Sequence, residues 1–467
     1  MTIWIIVFFV IFFGLLVLAS FKSFKKNRSS EEFLFAGSNI GAVLGFLTFA
    51  AALFSAFTFM GMPDFFRNQG LGAWIFLAFS DGLMVFFILW FGFRLRKRAK
   101  ETGYSGVAGM MAKCYDTRWA GYLLFLSSFL FLIPYVAIQI RGISIFLDAA
   151  FPYGVPSWTW SVGIVVIMLL YAEIGGLKAI VFSDAIQGLL LLVVIWIIGV
   201  SCLDMAGGMK AIFAEVEQIK PTLLSLPGPN NLFTPQFLVA SAIAIVLIPV
   251  SQPQFTTRLV VMKSLKSVHI MAFAVGFFAI LVILPTAFIG LYGAINYEGA
   301  STSDFLSNAL LFDQANPVAA LAVVGLFAAC LSTTNAQIFA LGTELRSLLS
   351  GEDKKVMRAT KISLLVFSVI VLIFTQLMGD QLALLARVSF TGTSMIAPIV
   401  IGALIFKNPP KLLIITSAIS FFIMLLSVTG VLPAQFGGMR MDFSLYIFQA
   451  VTATAIMWAH HSKEKSN

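Results

Sequence analysis

The chain has 467 residues, of which 60% are hydrophobic and 11% charged, and its mean hydropathy is +0.97. A soluble domain is about half apolar and about a quarter charged, so this composition excludes an ordinary soluble protein and makes the bilayer the solvent. The formal net charge of +9 is no sign of nucleic-acid binding, because the basic residues are placed as membrane topology places them, with affinity for anionic lipid headgroups as a by-product.

A membrane-crossing helix needs about 20 mostly apolar residues. The first such window is 2–20, which has no basic leader and no small-residue cleavage site and therefore reads as a retained helix. The second, 41–63, carries AAALFSAFTFMGMPDFF (50–66), rich in small residues and closing at Gly61 and Pro63. That stretch allows the helix to unwind at mid-membrane, with simple helix packing as the competing explanation. The third window, 72–93, holds Asp81, and the fourth, 119–146, holds Gln139 and Arg141. Windows 158–174 and 178–203 are joined by a tight turn at Gly175 and Gly176, and Asp184 follows about two turns later. Asp184 is either a structural carboxylate or an ion or proton site.

The seventh window, 234–256, closes with IPVSQPQFTTR (248–258). Pro249 and Pro253 each free a carbonyl, so the helix is broken or sharply ended around Ser251 and Gln252, and Arg258 fits a helix terminus. After 269–294, the ninth window, 317–345, contains LFAACLSTTNAQ (326–337). Ala329, Ser332 and Thr333 are spaced i, i+3, i+4 and share one helical face. Neutral oxygens there suit a weakly held, exchangeable Na⁺, while helix-to-helix hydrogen bonding is the alternative. The last windows are 360–378, 382–406, 411–430 and 442–460. Arg387 lies close enough to a boundary to snorkel. The loops at 204–233 and 295–316 read as polar connections too short for separate domains.

Thirteen windows with the N-terminus outside place 24 of the 30 Lys and Arg in inside loops and only Arg67, Lys210, Lys220 and Arg440 outside, as the positive-inside rule requires. The C-terminus is then cytoplasmic, in an all-α polytopic protein of the cell membrane. Cys114, Cys202 and Cys330 are scattered, two of the three histidines lie in the tail, and no nucleophile–base pair, phosphate loop or metal signature can be assembled. The chain is not expected to be an enzyme.

YAEIGGLKAIVFSDAIQ (171–187), LFAACLSTTNAQ, SQPQFTTR (251–258) and FLFAGSNIG (33–41) together resemble the sodium/solute symporter family, which includes sodium-coupled glucose, proline and pantothenate carriers. Ser38 stands where that family usually has Arg. The resemblance implies a single transporter domain with a core of two inverted five-helix repeats, 41–203 and 234–406, preceded by 1–40 and followed by extra helices at 411–460. It implies discontinuous first helices in each repeat, the same two helices that carry the break chemistry. It maps a sodium site onto the carbonyls of Ala51 and Phe54, the carbonyl of Ala329 and the hydroxyls of Ser332 and Thr333. A second ion or proton site falls at Asp184 and Asn335, but Ala336 offers no oxygen to complete it. Thr58, Asp81, Arg141 and Gln252 are the candidates for the substrate pocket. Asp81 and Arg141 could pair, or could hold an amine and a carboxylate of a substrate. The expected function is Na⁺-coupled symport of a small organic solute, a carboxylate or zwitterion, with proton coupling and a transporter-like sensor as the alternatives.

Overall fold

A computed structural model describes residues 1–23, 39–152, 155–174, 176–379 and 381–466. Most of FLFAGSNIG, including Ser38, and Gly175 of the tight turn lie outside these residues. The first half runs α1 (Thr2–Ser23), α2 (Ala42–Leu53), a π turn (Phe57–Gly61), α3 (Met62–Gln69), a second π turn (Ile75–Phe79), α4 (Ser80–Thr102), α5 (Val107–Cys114), α6 (Arg118–Ala150), α7 (Ser157–Ile174), α8 (Gly176–Met205) and α9 (Met209–Ile219). The second half runs α10 (Pro235–Val246), α11 (Ile248–Ser251), α12 (Pro253–Val260), α13 (Leu265–Asn296), α14 (Thr302–Ser307), α15 (Asn316–Leu348), α16 (Asp353–Leu377), α17 (Leu382–Ser394), α18 (Ala397–Ile405) and α19 (Leu412–Val428). A short antiparallel hairpin, β1 (Gln435–Phe436) with β2 (Met439–Arg440), leads into α20 (Met441–Ser466).

Each predicted window falls on a helix or on a string of helices interrupted by a break. Among the described residues, six helices are long and apolar enough to cross a membrane, or eight when each of two bent pairs counts as one span. The 204–233 and 295–316 connections are not plain loops, since they contain α9 and α14. α15 is central, with 83% of its most apolar window buried, whereas α16 has 22% buried and turns Ile362, Leu365 and Ile373 outward. Close approach at the centre needs small residues. A Cβ on Gly188 of α8 would sit 3.2 Å from the Ala51 Cβ and 3.4 Å from the Leu47 carbonyl of α2.

Two helices are broken inside the bundle. The chain bends by 54° between α2 and the segment Phe57–Gln69. Phe54 is extended there, at φ −95°, ψ 120°. The second break lies between α10 and α12, where Gln252 is extended at φ −112°, ψ 117° and Pro249 and Pro253 open the short segments. A third bend of 41° separates α17 from α18. The start of α2 and the end of α12 are joined by a parallel bridge between Ile40 and Met262: the Ile40 amide donates to the Val261 carbonyl (3.2 Å) and the Lys263 amide to the Ile40 carbonyl (2.7 Å). Arg96, in the last turns of α4, donates to the Leu259 and Val260 carbonyls (3.1 and 2.8 Å). These ends therefore share one face of the bundle, called here the basic face because Arg94, Arg96, Lys97 and Arg98 lie on it.

Two arginines are buried in pairs that hydropathy alone does not show. Arg258 is in the last turn of α12, as a terminal residue would be, but it is 2% exposed and pairs with Asp184. Arg387 does not snorkel. It is buried against Asp442 (2.5 Å) and Ser241 (2.6 Å), with its guanidinium 4.4 Å from the centre of the Phe237 ring. In both cases a carboxylate far along the chain removes the reason to reach for water.

Candidate functional site

At the end of α2 the last carbonyls have no helical partners and sit at the negative end of the helix dipole. α15 meets them with its polar face. The Ser332 hydroxyl lies 3.1 Å from the Ala51 carbonyl oxygen and 3.1 Å from that of Ala329, and the Thr333 hydroxyl lies 3.1 Å from the Ala51 oxygen. All four residues are buried. Four neutral oxygens from two helices thus converge on one point, and Phe54, the extended residue, sits one turn beyond it. Hydroxyls that donate to these carbonyls can rotate to offer lone pairs instead. Such a donor set fits a hard cation that prefers oxygen ligands, and a cation of single charge needs no carboxylate among them.

The break itself is capped by side chains. The Ser55 amide donates to the Thr58 hydroxyl (3.1 Å), the Ala56 amide to Gln139 Oε1 (2.9 Å) and the Phe57 amide to the Ser55 hydroxyl (3.2 Å). The Tyr135 hydroxyl donates to the Leu53 carbonyl (3.1 Å). Every freed amide is satisfied, as an interior without water demands. Gln139 and Tyr135 hold this break, a place that sequence reasoning did not give them; the signal was a glutamine inside an apolar span. At the second break, the Thr256 hydroxyl donates to the Pro249 carbonyl (2.7 Å), and Gln252 accepts from Gln254 Nε2 (2.7 Å) and reaches Thr393 (3.5 Å).

One turn from Ala51 toward the basic face, Thr48, Asp184 and Arg258 form a buried layer. Thr48 Oγ1 donates to Asp184 Oδ2 (2.5 Å), Arg258 Nη2 donates to the same oxygen (2.8 Å), and Arg258 Nε donates to Thr48 (2.8 Å). Asp184 is thus neutralised by a protein cation. Its Oδ1, and both amide atoms of Asn335 on the neighbouring α15, are buried without a hydrogen-bond partner among the described residues. Nearer the basic face, the Glu344 carboxylate accepts from the Val107 and Ala108 amides (2.9 and 2.5 Å). Tyr104, just past the end of α4, shares a hydrogen bond with Thr257 (3.0 Å). Burial, with the Glu344 charge nearby, pushes the Tyr104 phenol well above its ordinary range, so it stays a neutral hydroxyl.

The substrate candidates separate into two groups. Thr58 and Gln252 sit at the two breaks, both fully buried. Asp81 is 5% exposed in the first turn of α4, and no hydrogen bond or ion pair engages it among the described residues. Arg141 is elsewhere, in a cleft of about 500 Å³ with Asp148, Asp304 and Gln376. Of the two alternatives for Asp81 and Arg141, the direct pair is not formed: Arg141 lines that cleft and Asp81 is not among its lining residues. On the face opposite the basic one, Arg67 binds Asp64 (2.8 Å) and the carbonyls of Tyr297 and Ala300 (3.0 Å each).

The fold has known counterparts. A solved Na⁺-coupled sialic acid symporter, in a substrate-bound outward-open state, superposes with a TM-score of 0.72 at 16% identity over 96% of both chains; the likeness is one of fold. The sodium/pantothenate symporter of Escherichia coli (strain K12) is 26% identical over 266 residues, 57% of this chain and 54% of that protein, so the matched stretch spans about half the length of that relative. The sodium/pantothenate symporter of Haemophilus influenzae is 25% identical over 72% of this chain and 69% of that protein. These relatives are membrane transporters, not enzymes. The family model described as "Sodium:solute symporter family" matches residues 33–411, and the chain is therefore an integral membrane protein that belongs to the sodium:solute symporter family.

Proposed function

We propose that this protein carries a small organic solute across the membrane together with Na⁺ by alternating access. The observation that carries the reading is the set of four oxygens, from Ala51, Ala329, Ser332 and Thr333, gathered within 3.1 Å contacts where α2 ends. With the carbonyl of Phe54 they make the sodium site. One Na⁺ crossing 100 mV supplies about 2.3 kcal/mol, and its concentration gradient adds to that. Binding holds the broken first helix against α15 and favours the state that accepts solute. Because Arg258 already neutralises Asp184, a second sodium at Asp184 and Asn335 is not part of the reading.

The solute lies between the breaks, near Thr58 and Gln252, with Asp81 as the charged contact. With Arg141 in a separate cleft, a lone carboxylate favours a solute bearing an amine, hence a zwitterion over a simple carboxylate. The thirteen-span topology, with the N-terminus outside, the basic face cytoplasmic and inverted repeats at 41–203 and 234–406, belongs to the same proposal. It is supported by the excess of Lys and Arg in alternate loops.

The test is uptake of radiolabelled proline, pantothenate and other small solutes into proteoliposomes, with and without an inward Na⁺ gradient. Faster uptake with the gradient is expected, and the double variant Ser332→Ala/Thr333→Ala should lose the stimulation while keeping its fold. Equal uptake in both conditions overturns the coupling. Proton coupling is the second reading, favoured by the unpaired Asp81. Uptake driven by a pH gradient in Na⁺-free buffer, abolished by Asp81→Asn, would replace the sodium reading with it.

A further inference from the structure

A cleft of about 810 Å³, apart from the sodium and solute residues, lies on the basic face, where the last turns of α4 meet the end of α18. The apolar run of α4 ends at Phe93, and Arg94, Lys97 and Arg98 follow on successive turns. The cleft therefore lies at the level of the lipid headgroups. Those three residues and Lys407 face one carboxylate, Glu101. Arg98 is fixed, donating to the carbonyls of Phe406 (3.3 Å) and Lys407 (2.6 Å) and to Glu101 (3.3 Å). Arg94 stacks on Trp90 with its guanidinium 4.6 Å from the ring centre. Among the described residues, Arg94, Lys97 and Lys407 have no ion-pair partner. Like charges gathered in one concavity repel, and Glu101 offsets only part of that charge, so the cleft favours an anion. At the rim the cleft turns apolar: Phe93 is 50% exposed and Ile405 47% exposed.

We infer that this cleft binds the phosphodiester headgroup of an anionic phospholipid, with the acyl chains lying over Phe93 and Ile405. An arginine presents a planar fork that suits phosphate oxygens, and basic pockets between spanning helices take anionic headgroups. A soluble phosphate meets the same cations but leaves the apolar rim unused, which is why the lipid is the occupant. The site is separate from the sodium and solute residues and gives the protein a preference for membranes rich in anionic lipid.

The experiment is native mass spectrometry of the detergent-purified full chain titrated with dioleoylphosphatidylglycerol, and separately with dioleoylphosphatidylcholine. One phosphatidylglycerol is expected to bind ahead of any phosphatidylcholine. Each cation near an anionic headgroup contributes about fivefold in affinity, so Arg94→Gln/Lys97→Gln/Lys407→Gln should weaken the first phosphatidylglycerol by roughly a hundredfold. Glu101→Gln should tighten it. The control variant Lys354→Gln/Lys355→Gln/Arg358→Gln removes the same charge from the exposed start of α16 and should bind as the parent does. If the triple cleft variant is not monodisperse, Arg94→Gln and Lys97→Gln are read singly, each about fivefold weaker. Equal losses in the cleft and control variants overturn the site as mere surface charge. Displacement of phosphatidylglycerol by millimolar sodium phosphate overturns the lipid as its occupant.

Discussion

The two broken helices solve one problem with different chemistry. The second is broken by its own residues: Pro249 and Pro253 cannot donate, and Thr256 returns a hydroxyl to the freed Pro249 carbonyl. The first contains neither proline nor glycine between Ala50 and Met60. It is held open from outside, by Gln139 and Tyr135 of α6. The first break thus leans on α6 for two of its bonds, whereas the second is written by its own prolines, although Gln252 also reaches Thr393. In the proposed reading the cation sits at the first, because the neutral oxygens gather at the end of α2.

The largest expected effect is at the layer that ties both helices together. Arg258→Met leaves Asp184 buried and unpaired, and should cost about 3–5 kcal/mol of stability, read as a fall in thermal unfolding temperature in detergent. The double variant Asp184→Leu/Arg258→Met should recover much of that loss. If the double is no better than the single, the layer is not a neutralised pair. Next in size is sodium itself. At about a hundredfold above its dissociation constant, Na⁺ should stabilise the folded protein by about 2.7 kcal/mol relative to choline, and Ser332→Ala/Thr333→Ala should erase that difference. Third, Gln139→Leu orphans the Ala56 amide and should cost about 1–3 kcal/mol. Thr256→Val is the smallest, at about 1 kcal/mol, since a carbonyl at a helix break tolerates loss of a hydroxyl better than a buried amide does. A Thr256→Val cost exceeding that of Gln139→Leu, measured by the same unfolding assay, would reverse the comparison.

The contrast also explains what was legible in the residues alone. Proline writes a break into the local sequence, so the interruption around Gln252 was readable. The break at Phe54 is set by residues about 80 positions away and left only a hint in a run of small residues. The polar face of α15 was readable because i, i+3, i+4 spacing is intrinsic to a helix. The burial of Arg258 and Arg387 was not legible because hydropathy treats a cation as an end of the membrane. It cannot see that Asp184 and Asp442 wait for them inside the fold. Asp81 and Arg141 allowed a pair by charge alone, but in the fold Arg141 lines a cleft that Asp81 does not.

The bridge between Ile40 and Met262 joins the beginning of the first broken helix to the end of the second. Above it, the Phe49 and Phe255 rings meet at 4.9 Å, and the Thr48–Asp184–Arg258 layer stands beside them. The halves of the two helices on the basic face are thus joined, between breaks at Phe54 and Gln252. In the proposed alternating-access cycle, opening that face would move both halves at once or break the bridge. Amide hydrogen exchange reads the difference: the amides of Ile40 and Lys263 should exchange in step, and both more slowly than those of Ser55 to Thr58 at the hinge.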